Sequence, residues 1–162
     1  MIFHASIPAD DPQRVARVIA ELWRGEFFPF VYPHSFIVLA GDDRGTEIEV
    51  LPRGLEHTRG QKEVWLEQNK SPSLHSEAHI NMATSLTLPE IQIIARREGW
   101  TARVCDRITF NVIEFWLEDR FMLELMTPEE LTRYQGFMTT ANWRALMAKG
   151  PPPEVGDRWG GP

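Results

Sequence analysis

The sequence predicts an α+β fold built from two paired βαβββ modules. Their strands form a cup-shaped mixed sheet with the helices on its outer face, followed by a C-terminal helical extension. Three observations carry this. A β-like segment, an amphipathic helix and three further β-like segments occur in order in residues 1–52 and again in 77–127. The halves align at an offset of 75, which sets "VIA" (18–20) over "IIA" (93–95) and "IEV" (48–50) over "LEL" (123–125). The same offset sets His4 over His79.

The elements are legible in turn. "IFHASIP" reads as a short strand closed by proline, and Asp10 or Asp11 caps the helix that follows, with Pro12 in its first turn. Val15, Val18, Ile19 and Leu22 then share one helical face, and Gly25 ends the helix. "FFPFVY", "SFIVLAG" and "TEIEVLP" are strands, the last two separated by the turn "DDRG". Residues 53–76 are polar and aperiodic, a connector with a short helix expected around Val64–Leu66. "EAHINMATSL" opens the second module as a strand. Thr87 caps its helix, with Glu90 in the capping-box position, and "TARVCDRI", "NVIEFWLED" and "FMLELMT" complete it. Residues 128–149 are helical, with Leu131, Tyr134, Phe137, Trp143 and Leu146 available for docking, and 150–162 form a Pro/Gly-rich tail.

Composition narrows the function classes. A net charge of −6 disfavours nucleic acid and anionic membrane surfaces as partners. The only cysteine, Cys105, reads as a small buried side chain and cannot form an internal disulfide. No signal-peptide pattern opens the sequence, and no apolar run approaches the ~18–20 residues of a membrane span, so the expected location is cytoplasmic.

The stretch "LHSEAHINM" places His75 and His79 four apart, as in a zinc-binding helix. Its alignment with the first strand makes it a strand instead, and residues four apart in a strand lie roughly 13 Å from each other. One ion with bonds of about 2 Å cannot join them. The partner of His79 is therefore His4, and the same offset pairs Glu49 with Glu124. Each glutamate is flanked by aliphatic residues, which places its carboxylate on the sheet face opposite the core. If the two cups pair, His4, Glu49, His79 and Glu124 converge as two nitrogen and two oxygen donors. This set suits Ni, Co, Zn, Fe or Mn and leaves positions open for water or substrate. Glu47 and Glu77 share faces with Glu49 and His79 as supporting partners or solvated charges; His34, His57 and His75 are expected at the surface. Trp65, Phe110, Phe115, Trp116 and Met122 either line the cup or pack in the core. Arg24, Arg53 and Arg120 either meet an anionic substrate group or are solvated.

The duplicated βαβββ unit, with a histidine in each first strand and a glutamate in each last strand, resembles the vicinal oxygen chelate superfamily over about residues 1–127. That group includes glyoxalase I, methylmalonyl-CoA epimerase, thiol transferases that inactivate fosfomycin, extradiol dioxygenases and metal-free bleomycin-resistance proteins. The resemblance implies His4, Glu49, His79 and Glu124 as ligands of a divalent metal, with Glu124 or Glu49 as general base. It implies an isomerase or lyase acting on a small oxygen-chelating substrate through an enediolate-type intermediate, and a homodimer. It also admits an Fe(II) dioxygenase using His4, His79 and Glu124, or a metal-free small-molecule binding protein. The chain departs from the common pattern in "AELWRGEFF" and in the short "LEDRFMLEL", and no arginine matches a glutathione-binding one.

Overall fold

The computed structural model describes residues 2–150; the expected Pro/Gly-rich tail, apart from its first residue, lies outside them. The first module contains β1 (His4–Ala9), α1 (Pro12–Trp23), β2 (Glu26–Pro29), β3 (Phe36–Leu39) and β4 (Glu47–Pro52). The second contains β7 (Ile80–Ala83), α2 (Leu88–Glu98), β8 (Ala102–Asp106), β9 (Asn111–Leu117) and β10 (Phe121–Met126). Their sheets have the same topology, β1-β4-β3-β2 and β7-β10-β9-β8. In each, the first strand runs parallel to the last and forms one edge, while the other neighbours are antiparallel.

Helix α1 begins as its sequence dictates. Asp11 accepts from the Arg14 amide at 3.1 Å, and Pro12 occupies the first turn. Its end differs from expectation, because Arg24, not Gly25, takes the left-handed capping conformation at φ 55°. Gly25 is required for another reason. A Cβ there would lie 2.1 Å from the Leu39 carbonyl oxygen, so only glycine lets the chain pass beneath β3. At α2, the Thr87 amide donates to Glu90 Oε2 at 2.7 Å and Gly99 closes the helix at φ 71°.

Strand alternation separates core from cup. Ile48 and Val50 in β4, and Leu123 and Leu125 in β10, are buried in one cluster with Val15, Val18, Ile19 and Leu22 of α1 and Ile91 and Ile94 of α2. Glu47, Glu49 and Glu124 consequently take the opposite faces. Polar contacts join the helices. Glu98, only 8% exposed, accepts from Arg14 at 2.8 Å, Arg17 at 2.9 Å and Arg97 at 2.8 Å, while Arg97 also binds Glu21 at 2.6 Å.

Residues 53–76 depart from the expected connector. β5 (Leu55–Arg59) pairs with β6 (Val64–Gln68) as a hairpin, so Val64–Leu66 is strand, not helix. Two β-formers, Val64 and Trp65, open β6, and Gly60 sits where a Cβ would fall 2.3 Å from the Glu63 oxygen. Helices α3 (Pro128–Phe137) and α4 (Thr140–Met147) follow the second module. Tyr134 docks edge-to-face on Phe110, their rings 5.1 Å apart. Trp143 and Leu146 remain exposed.

Candidate functional site

The two edge strands, β1 and β7, border a cavity of about 760 Å³. Both His4 and His79 line it, with Glu47 and Asp42 among the polar groups and Phe3, Trp23, Met82 and Phe121 among the apolar ones. His4 is the first residue of β1 and His79 immediately precedes β7, so each stands at a strand entrance and not, as expected, in mid-strand.

Register decides which carboxylate each histidine meets. In both modules the first and last strands pair at a separation of 43 residues, so Ser6 faces Glu49 and Asn81 faces Glu124. Ser6 Oγ donates to Glu49 Oε2 at 2.5 Å, and Asn81 Nδ2 donates to Glu124 Oε2 at 3.4 Å. His4 lies opposite Glu47, its Nδ1 3.6 Å from Oε1. The position 75 residues beyond Glu47 is Met122, so no second acid competes there. His79 reaches diagonally instead, its Nε2 3.6 Å from Glu124 Oε2. The structure thus joins His79 to Glu124, His4 to Glu47 and Glu49 to Ser6. Among the described residues, no three His, Cys, Asp or Glu side chains gather closely enough to hold one ion.

The second cup carries an ionic ladder that sequence patterning missed. Arg103 donates to Glu114 Oε2 at 2.8 Å, Arg107 to Glu114 Oε1 at 2.9 Å, and Arg107 again to Glu124 Oε1 at 2.7 Å. Burial pushes the Glu114 carboxyl up, but hydrogen bonds from Arg107, Arg103 and Cys105 outweigh it and hold the group at about 2. Burial, and then the bond to Glu114, raise the Cys105 thiol. The thiol is half-buried, not fully buried as expected. A period-two reading of "ARVCDRI" and "NVIEFW" places Arg103 and Glu114 on side faces, but only the register of β8 on β9 puts them opposite each other.

Other candidates settle elsewhere. Phe115 is fully buried and packs edge-to-face on Trp100, whereas Trp65 is 62% exposed on the hairpin. Arg53 and Arg120 both bind Asp10, at 2.6 and 2.8 Å, and Arg24 reaches Glu90 at 3.3 Å.

No family model matches the sequence, and no curated protein is similar to it. Solved structures are similar in fold. A glutamate-to-glutamine variant of the fosfomycin resistance protein FosX from Listeria monocytogenes, complexed with Mn(II) and 1S,2S-dihydroxypropylphosphonic acid, superposes with a TM-score of 0.53 at 14% identity. The match covers 81% of this chain and 95% of that one. FosX from the same organism in a monoclinic form gives 0.53 at 13% identity, over 85% and 98% of the two chains. Its complex with Mn(II) and sulfate gives 0.52 at 16% identity, over 83% and 97%. The chain therefore shares the fold of these FosX structures, as the resemblance of its sequence to the vicinal oxygen chelate superfamily implies.

Proposed function

We propose that the cavity between β1 and β7 is the active site of a divalent-metal-dependent, glyoxalase-like isomerase or lyase. Its substrate is a small molecule with adjacent oxygens. The observation that carries this is the approach of His79 Nε2 to Glu124 Oε2, at 3.6 Å, His79 being a residue that lines the cavity together with His4. An imidazole nitrogen and a carboxylate oxygen form a borderline donor pair that fits Mn, Fe, Co, Ni or Zn. FosX, of the same fold, has been crystallised with Mn(II) and a vicinal-diol phosphonate, which supports an ion and a ligand of this kind.

The chain supplies two donors at this point. Water and a second copy of the chain, in the homodimer that the resemblance implies, complete the set. His4 and Glu49 remain the candidates to be brought there. When bound, the ion stabilises negative charge developing on a substrate oxygen. The protein's own groups do the rest. Phe3, Trp23, Met82 and Phe121 exclude water from the substrate's carbon skeleton. Of the candidate bases, Glu124 has one oxygen held by Arg107 and Glu49 has one held by Ser6. Glu47, which lines the cavity beside His4, is placed to take a proton α to a carbonyl, with His4 to receive or return it.

The test is solvent exchange. Small α-hydroxy ketones and α-keto hemithioacetals incubated in D₂O with the protein and each of the five ions should incorporate deuterium at the carbon α to the carbonyl. Glu47→Gln should slow this by 10²-fold or more. No exchange with any ion contradicts the reading.

One observation favours a second reading. With no three donor side chains gathered among the described residues and a largely apolar cavity wall, a metal-free binding protein for a small, mainly apolar ligand also suits the site. Its melting temperature would then rise with ligand and be indifferent to the five ions.

A further inference from the structure

We infer that Arg107 is the positioning residue of the candidate centre, fixing Glu124 so that one carboxylate oxygen is occupied and the other is presented to His79. This rests on the metal-centre reading above for its purpose, though not for its geometry.

Strands β9 and β10 place Glu114 and Glu124 directly opposite each other. Like charges in that relation repel and destabilise a sheet. Arg107 resolves the conflict by donating from Nη2 to Oε1 of both, at 2.9 and 2.7 Å, while its Nε adds a second contact to the same Glu124 oxygen at 3.2 Å. Glu124 Oε1 is thereby taken up. Oε2 is left facing His79 at 3.6 Å and Asn81 at 3.4 Å. A guanidinium fork suits this task because it fixes direction as well as charge.

Arg107 is itself held in place. Its amide donates to the Phe110 carbonyl at 2.9 Å and its carbonyl accepts from Thr109 at 2.9 Å, closing the turn between β8 and β9. Asp106 accepts from the Ile108 amide at 2.6 Å, and Ile108 sits at φ 74°, a left-handed conformation that β-branched residues rarely adopt. Behind it, Arg103 occupies Glu114 Oε2 at 2.8 Å, so Glu114 is anchored independently.

The duplicated fold contains its own control. Glu49, the counterpart of Glu124, faces Ile37 across β3 and β4 and meets no opposing acid. Its second-module equivalent faces Glu114 and receives an arginine. The ladder is thus specific to the half in which the histidine meets this glutamate; in the first half His4 meets Glu47 instead of Glu49.

The experiment uses the full chain as wild type, Arg107→Met, Arg107→Lys, Glu124→Gln and the Arg107→Met/Glu124→Gln double variant. Two readouts are taken: Mn(II) affinity by calorimetry with the Co(II) absorption spectrum, and melting temperature in EDTA. Arg107→Met should weaken Mn(II) binding about tenfold or more and alter the Co(II) envelope, and Arg107→Lys should recover part of both. In EDTA, the loss in the double variant should be smaller than the two single losses combined, because both remove one interaction. Additive losses, or an Mn(II) affinity for Arg107→Met within twofold of a wild type that binds, overturn the positioning role. A wild type that takes up neither ion removes the metal-centre reading instead, and the melting cycle alone then decides whether Arg107 positions Glu124. Should Arg107→Met not fold, Arg107→Lys carries both readouts, with a weaker Mn(II) affinity expected and an unchanged one contradicting the role.

Discussion

Glu98 of α2 receives Arg14 of α1 at 2.8 Å, a bond between the two modules that joins residues 84 apart in the chain. Burial opposes ionisation of Glu98, but hydrogen bonds from Arg14, Arg17 and Arg97 overcome it and hold the carboxyl at about 2, against 4.5 for a free glutamate. Between those values the unfolded chain binds more protons than the native one, so stability rises with pH. The contribution is complete above about 4.5 and disappears as pH falls through about 2. Glu114 behaves alike, its carboxyl also held at about 2 by its hydrogen bonds. Melting temperature followed from pH 6 to pH 2 should fall through this window, and Glu98→Gln should flatten the decline. Its loss at pH 7 should be about 2 kcal/mol, since charge-assisted hydrogen bonds are removed from a buried group.

Gly25 and Gly136 should respond oppositely to alanine. At Gly25 the new methyl would meet the Leu39 carbonyl oxygen at 2.1 Å, and backbone cannot yield as a side chain does. Denaturant unfolding should show a loss of roughly 3 kcal/mol, typical of overpacking. Gly136 lies within α3 and a Cβ there meets nothing within 4 Å. Alanine at that position should stabilise α3 by about 0.5–1 kcal/mol through helix propensity. The check is amide exchange in residues 128–137.

Ile108 stands 82% exposed with φ at 74°, so its side chain contributes little packing while its backbone is strained. Asparagine tolerates this conformation better. Ile108→Asn should raise stability by about 1 kcal/mol in chemical denaturation, the scale of the left-handed penalty for L-residues.

The duplicated architecture was legible because helix and strand periods repeat at a fixed offset and the caps at Asp11 and Thr87 have simple chemistry. Glu49 and Glu124 were legible as cup-facing for the same reason, since aliphatic neighbours force them away from the core. The pairing of His4 with Glu47 was not legible, because a strand's own pattern fixes its face but not its register against a partner. The β5–β6 hairpin was hidden by polar composition, its two strands being mostly exposed. Arg107 escaped notice because it lies in a turn and acts through a reach across two strands.

Elemental analysis shows whether His79 and Glu124 hold an ion. Wild-type protein and His79→Ala, each stripped with EDTA, equilibrated with Mn(II) and desalted, are compared for bound metal. Near-stoichiometric Mn(II) per site is expected in the wild type, with most of it lost when the imidazole that faces Glu124 is removed. Equal metal content in the two proteins would contradict it.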